Sequence, residues 1–443
     1  MKASVRQDGI WWIAGLCGAI GIAVLGSIRP SLFGPIVLGL GLFLGFVAIA
    51  KLISDPQDRE WLTRYVALGV MVKMVGVAMR YLMVVSFYEH GDSLRYHGAA
   101  LVLVNKWRAL EIPTSTSPGG VGTHFVELIT AFLYVPHVPT LFGGFLIFGA
   151  LSFLGQLALY AAFKRALPSS GLKTFAILIF FTPSLVFWPA AIGKEAVMIL
   201  AIGVYAVGAA GLLTNYKFRW LVTASLATVS AAVIRPHVGF LMAGSLLVAM
   251  VLARRPTLPG ARLRRVLLVG AVGFMLLSLL TFAGERYGIQ PDAESLERFA
   301  DEVSRNTSQG GSEIEGSPVN TPFDIPAAMT RLLFRPFPHE SDSVQVLLSA
   351  LEASAFLVLV IWRWRYVWRN LRAMRRYPYL ILSTVFLLGF AVAFSPVLNL
   401  GILVRQRIQA LPFFLVMLVG LGWRRDEDQA GLSPHELSKA RFG

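Results

Sequence analysis

Charge is scarce in this sequence. Only 15% of its 443 residues are Asp, Glu, Lys or Arg, where a soluble domain carries about 25%. With 56% of residues hydrophobic, an ordinary soluble fold is excluded. Cysteine is scarcer still. The single Cys17 excludes a disulfide framework and a thiolate metal centre. Carboxylates are outnumbered by basic residues, 25 against 40, for a net charge of +15. Nucleic acid and a membrane surface would both suit such a surplus, and its distribution decides between them. Internal repeats are absent to inspection, which counts against the common transporter architectures.

What is abundant is apolar runs of the length that spans about 30 Å of hydrocarbon. Twelve spans are expected, near 10–28, 32–52, 65–87, 141–163, 174–189, 196–214, 220–234, 238–253, 266–283, 346–363, 378–396 and 408–423. The pairs 174–214 and 220–253 each read as one long helix or as two short ones broken near Pro189 or Pro236. The first run follows Lys2 and Arg6, is too long for a signal-peptide core and reads as a retained span. The expected fold class is therefore all-α, a polytopic transmembrane helical bundle of about 12 spans. The transmembrane domain covers 1–423, and 424–443 is a cytoplasmic tail.

Lys and Arg in the short loops set the orientation. With both termini cytoplasmic, the inner segments collect Lys51, Arg59, Arg64, Lys164, Arg165, Lys173, Lys217, Arg219, the Arg254–Arg265 cluster and six arginines between Arg363 and Arg376. Most of the surplus charge is thus the positive-inside pattern. Membrane lipids are the expected partners and nucleic acid is not. Two large non-cytoplasmic loops remain, 88–140 and 284–345. The first opens a juxtamembrane helix running from Ser93 to about Ala109. The second holds a polar stretch, 304–321, that reads as mobile, then an apolar-basic stretch, 323–340, suited to the interface. Asn306-Thr307-Ser308 is a sequon at chance level.

The same topology gathers unusual charges on the outer face. Asp92 and His97 open the first loop, in "YEHGDSLRYHGAAL". Lys194 and Glu195 stand in "FWPAAIGKEAVM", Arg235 and His237 in "VIRPHVGF", Arg331 and Arg335 in "LLFRPFPHE", and Arg405 and Arg407 in "NLGILVRQR". Arg80, inside the third span, lines the same side, while Lys73 faces the cytoplasmic vestibule. Charges so close to hydrocarbon are costly and usually face a cavity or a partner. One carboxylate among several cations suits a lipid-linked sugar phosphate. The cations grip phosphate and stabilise it as it leaves. The carboxylate takes the proton of an acceptor hydroxyl.

Each residue has a structural reading as well. Asp92 is a good N-cap for the juxtamembrane helix. Lys194 and Glu195 suit ion pairs with neighbouring spans. Arg235 and Arg405 suit snorkelling, and His237 and His124 suit satisfied histidines. His339 and Glu340 suit a loop turn. Glu89, His90, Asp92 and His97 match no metal-ligand spacing, so no metal ligand is assigned and help from a divalent cation stays open.

An acidic residue in the first large outer loop, just after an early span and before a juxtamembrane helix, resembles the GT-C superfamily of polytopic glycosyltransferases. That resemblance implies a polyprenyl-phosphate-linked donor, a glycan or lipid acceptor, and Asp92 as base with His97 as its orienter or substitute. The one-sided clustering of charge assigns Lys194, Glu195, Arg235, His237, Arg405, Arg407 and Arg80 to the phosphate, with Arg331 and Arg335 as a lid. The resemblance also implies the bacterial inner membrane, with the active face outside. The segments "PSLVFWPAAIGKEAV", "IRPH", "LLFRPFPHE" and "NLGILVRQR" resemble a family of bacterial membrane proteins found with polysaccharide genes, over most of 88–415. The first loop lacks an Asp-x-Asp or Glu-x-Asp pair. In span number and outer arginines the chain also resembles the O-antigen polymerases and ligases, which use polyprenyl-pyrophosphate glycans. A transporter or flippase of a lipid-linked or anionic solute, and a non-catalytic scaffold for polysaccharide export, are readings of other classes.

Overall fold

The computed structural model describes residues 30–87, 91–111, 120–136, 138–167, 171–253, 261–287, 304–305, 318–341 and 343–421. They are helical, with no strand among them. In hydrocarbon every backbone group must find its partner inside the protein, and a helix meets that demand from its own residues. The helices are those of a multi-pass membrane protein. Among the described residues, six are long and apolar enough to cross a bilayer, or up to eight if each of two bent pairs counts as one span.

In chain order the helices are α1 Pro30–Ile53, α2 Arg59–Phe87, α3 Asp92–Arg108, α4 Val121–Tyr134, α5 Leu141–Ala166, α6 Leu172–Phe181, α7 Pro183–Phe187, α8 Lys194–Asn215 and α9 Phe218–Ile234. They continue as α10 Pro236–Leu252, α11 Ala261–Tyr287, α12 Ile325–Phe334, α13 Val344–Trp362, α14 Trp364–Ala373, α15 Pro378–Ala393, α16 Leu400–Arg407 and α17 Leu411–Val419.

The expectation of about twelve spans is met in part. The run at 10–28 lies outside the described residues. Six expected spans appear as α1, α2, α5, α8, α11 and α13. The run at 174–189 instead ends its helix at Phe181, ahead of Pro183, and 188–193 is non-helical. The runs at 220–234 and 238–253 are separate 17-residue helices, because Pro236 cannot continue α9 and starts α10 instead. The last two runs belong to the bent pairs, α14 with α15 at 113° and α16 with α17 at 59°.

The described chain divides into two compact units. The first holds residues up to 157, with 180–202 and 233–235. In it, α3 turns a stripe formed by Ser93, Tyr96, Ala100, Leu103 and Val104 inward, the three-and-four spacing of an amphipathic helix. This stripe meets Ala131 and Tyr134 of α4. Arg108 ties the hairpin shut by donating to the Tyr134 and Val135 carbonyls at 3.2 and 3.1 Å. The second unit holds 158–179, 203–232 and 236–443. Its helix α10 packs on α11 and α15, and α12 lies against α13, α15 and α16.

Lipid gives no hydrophobic drive for helix association, so close approach at small residues supplies much of it. Gly122 of α4 lies against the Ile234 backbone, where a Cβ would meet the carbonyl oxygen at 2.8 Å. Gly208 lies equally close to Ala224. Gly76 of α2 lies against Val186, where a Cβ would come within 2.7 Å of Cγ1. Gly76→Ala should therefore cost about 1–3 kcal/mol. Gly41→Ala, which meets nothing within 4 Å, should be neutral or slightly stabilising. Thermal unfolding of the detergent-solubilised protein checks both.

Candidate functional site

The first unit concentrates charge where helix gives way to loop. Residues 188–193 leave helical geometry and are all buried. Such backbone survives at membrane depth only when protein encloses it. Lys73 of α2, itself buried, donates to the Leu185 carbonyl at 2.7 Å. Arg80 sets its guanidinium 5.2 Å from the rings of both Phe187 and Trp188. Ser93 Oγ donates to the Ile192 carbonyl at 2.8 Å. That bond joins the start of α3 to the start of α8, so the positive ends of two helix dipoles meet there.

Asp92, Lys194, Glu195 and Arg235 assemble at this junction. Asp92 lies in the first turn of α3, where Gly91 occupies the cap position and no side chain makes a capping bond. The N-cap reading is thereby corrected. Gly91 is the last extended residue, and Asp92 is already helical. Arg95, one turn on, reaches the Asp92 carboxylate at 3.4 Å, and both are about half exposed. Glu195 turns away from Lys194 and accepts from Arg235 Nη2 at 2.9 Å in a buried ion pair. Arg235 is 8% exposed, and its Nη1 has no hydrogen-bond partner among the described residues. The Lys194 ammonium makes no hydrogen bond or ion pair with any described residue. Asp92 and Glu195 attract it, while Arg235 and Arg95 repel it. Tyr96 reports the same neighbourhood. Its phenol pKa is raised first by burial, then by Asp92, with Glu195 adding to the effect. Three cations thus surround two carboxylates, and each carboxylate has an arginine partner.

His97 and Asp92 stand five residues apart on α3. Five residues along a helix separate two side chains by about 140°. His97 Nδ1 instead shares a 2.8 Å hydrogen bond with Tyr134 of α4, and the two rings meet edge to face. His124 of α4 lies 3.4 Å from the buried Glu127 carboxylate. Glu89 and His90 fall outside the described residues, and no three His, Cys, Asp or Glu side chains converge among those described.

The remaining expected site residues belong to the second unit. His237 meets the Phe394 ring edge to face. Arg331 of α12 is half-buried and repelled by Arg335. Arg335 pairs with Glu340, whose carboxylate also accepts from the Phe337 amide at 2.7 Å. This clasp accords with the reading of His339-Glu340 as a loop turn. Arg405 is half-buried. Arg407 is wholly buried; its guanidinium donates to Glu352 at 3.0 Å and to the Leu333 and Arg335 carbonyls at 3.3 and 3.2 Å. Those bonds make Arg407 a tie between α16, α13 and the end of α12.

Sequence reasoning missed Ser93, Arg95 and Tyr134. Arg95 had a signal, since it follows Asp92 at the three-residue spacing that pairs charges on a helix. Ser93 and Tyr134 had none.

An apolar groove of about 350 Å³ opens in the same unit, lined by Trp107, Leu128, Phe132, Leu151, Val197 and Leu200 among others. Val197 follows Lys194 by one helical turn, so the groove begins beside the cations. No family model, no curated protein and no solved structure matches the chain.

Burial lowers the His97 pKa below its ordinary 6.5, so on acidification the unfolded chain binds the proton first. The stability His97 contributes is complete above about pH 6.5 and is lost as pH falls through the lower folded value. His97→Gln should flatten the pH dependence of the melting temperature in that interval. Separately, Glu352→Leu strands a buried guanidinium and should cost about 3–5 kcal/mol, while Glu352→Leu with Arg407→Met should recover most of it. Thermal melts of the two variants read the difference.

Proposed function

We propose that this chain is a membrane glycosyltransferase that uses a polyprenyl-phosphate-linked sugar on the non-cytoplasmic leaflet of a bacterial inner membrane, for cell-surface polysaccharide or glycoconjugate assembly. One observation carries the reading. Two cationic groups, the Lys194 ammonium and Arg235 Nη1, stand without hydrogen-bond partners among the described residues, in the neighbourhood of the Asp92 carboxylate. An orphan cationic donor in a buried place is costly unless a ligand completes it, and a phosphate does so with charge-assisted bonds.

Asp92 takes the proton of the acceptor hydroxyl as its oxygen attacks the anomeric carbon. The bond from that carbon to the phosphate oxygen breaks, and the lipid phosphate leaves with the electron pair. Lys194, Arg235 and the two helix N-termini stabilise the charge that develops. Glu195 fixes the Arg235 guanidinium, and Arg95 steadies Asp92. The apolar groove beyond Val197 suits the lipid chain.

A transporter or flippase is the second reading, and Lys73 favours it. A lysine buried in a spanning helix, bonded to a backbone carbonyl, is a feature of transport pathways as well as of structure.

The test uses the full chain in vesicles with a panel of labelled polyprenyl-phosphate sugars. Asp92→Asn should lower transfer about 10²–10⁴-fold with expression unchanged, and full activity in that variant sinks the carboxylate role. Lys194→Met should raise the apparent donor KM. Loss of solute flux in Lys73→Met, with no transfer detected in the parent protein, would favour the transporter.

A further inference from the structure

We propose that α14 is an anionic-phospholipid binding surface, lying in the plane of the leaflet that the arginine excess marks as cytoplasmic. Four observations meet on this element. The first is charge. Six arginines fall between Arg363 and Arg376, and no Asp or Glu occurs between Glu352 and Asp426. The helices packed on α14 are α13, α15 and α17, and the Glu352 carboxylate of α13 is bound to Arg407.

The second is the pattern around the helix. Trp364, Trp368 and Arg372 follow one another at four-residue spacing, with Arg365 on the adjoining ridge. All four are exposed, Trp364 at 58% and Trp368 at 51%. Aromatic and cationic side chains therefore share the outward face. A helix meant for water would not show two tryptophans, and one meant for hydrocarbon would not show the arginines. The headgroup boundary accommodates both.

The third is availability. The side chains of Arg365, Arg372, Arg375 and Arg376 make no hydrogen bond or ion pair with any described residue. Arg372 lies 5.3 Å from the Trp368 ring, a contact that leaves its N–H donors open. The fourth is attitude. The axis of α14 turns by 113° into α15. If α15 crosses the bilayer, α14 runs close to the membrane plane. On its inward side Asn370 is fully buried, donating to the Met417 carbonyl at 2.8 Å and accepting from the Leu421 amide at 3.2 Å. These bonds close the end of α17 and fix which face of α14 points outward.

Charge complementarity selects the occupant. Guanidinium forks match phosphodiester oxygens, and a basic residue near an anionic leaflet is worth about five-fold in affinity. The ligand class is the headgroup of an anionic phospholipid, with the tryptophans seated among the acyl chains below it.

The test is native mass spectrometry of the delipidated full-length protein, titrated with phosphatidylglycerol and, separately, with phosphatidylcholine. The parent protein should bind phosphatidylglycerol at least ten-fold more tightly. Joint replacement of Arg365, Arg372, Arg375 and Arg376 by Gln should erase that preference, and replacement by Lys should keep most of it. Trp364→Ala with Trp368→Ala should weaken both lipids alike. In the parent protein, raising salt from about 0.05 to 0.5 M should shrink the preference, because exposed charges are screened; this arm needs no variant to fold. No preference in the parent, or a preference unmoved by the Gln variant, overturns the proposal. A soluble acidic protein that competes the lipid off would also overturn it, by assigning the face to a different partner.

Discussion

Backbone that leaves a helix while buried in protein must find new partners, and the charged junction of the first unit depends on how 188–193 meets that demand. Unwinding there frees buried amides and carbonyls that need partners within the protein. The chain answers with enclosure and with side chains sent from elsewhere. Lys73 reaches the carbonyl of Leu185, Ser93 that of Ile192, and Arg80 covers the two rings where the unwinding begins. The same unwinding lets α8 restart with Lys194 and Glu195 in its first turn. A continuous helix would have carried both along its side, with no junction for Asp92 and Arg235 to join.

Much of this architecture is legible from composition and period. The juxtamembrane helix expected from Ser93 runs from Asp92, because its apolar stripe keeps a strict three-and-four spacing after Gly91. Pro236 separates α9 from α10, which settles the 220–253 run as two short helices where the sequence allowed one long helix or two. The number of crossings was harder to read. An apolar run reports only that a segment avoids water, and Thr182-Pro183 broke a run that hydropathy read as one span. The charged residues were legible as a set but not by role. An arginine at the end of an apolar run looks the same whether it snorkels, binds a ligand or closes a core. Glu195 meets Arg235 across 40 positions and His97 meets Tyr134 across 37. No local pattern announces a partner so far along the chain.

The structure separates two uses of arginine that the sequence had grouped. Arg407 has spent its guanidinium on Glu352 and two carbonyls, and holds three helices in register. Deep burial with both terminal nitrogens engaged, its Nε alone lacking a partner among the described residues, makes this cation structural. Arg235 is nearly as buried but only half satisfied. Engagement of both terminal nitrogens, and not depth, distinguishes the two.

That half-satisfied guanidinium also carries stereochemical information. With Nη2 committed to Glu195, a ligand meets one arm of the fork instead of two. A flat carboxylate, which binds an open guanidinium through two parallel bonds, loses half of its grip here. A tetrahedral oxyanion loses less, because its oxygens point in separate directions, one toward the free arm and another toward an ammonium. In the proposed site, Glu195 would therefore do more than neutralise charge: by occupying one side of the fork, it would filter oxyanions by shape.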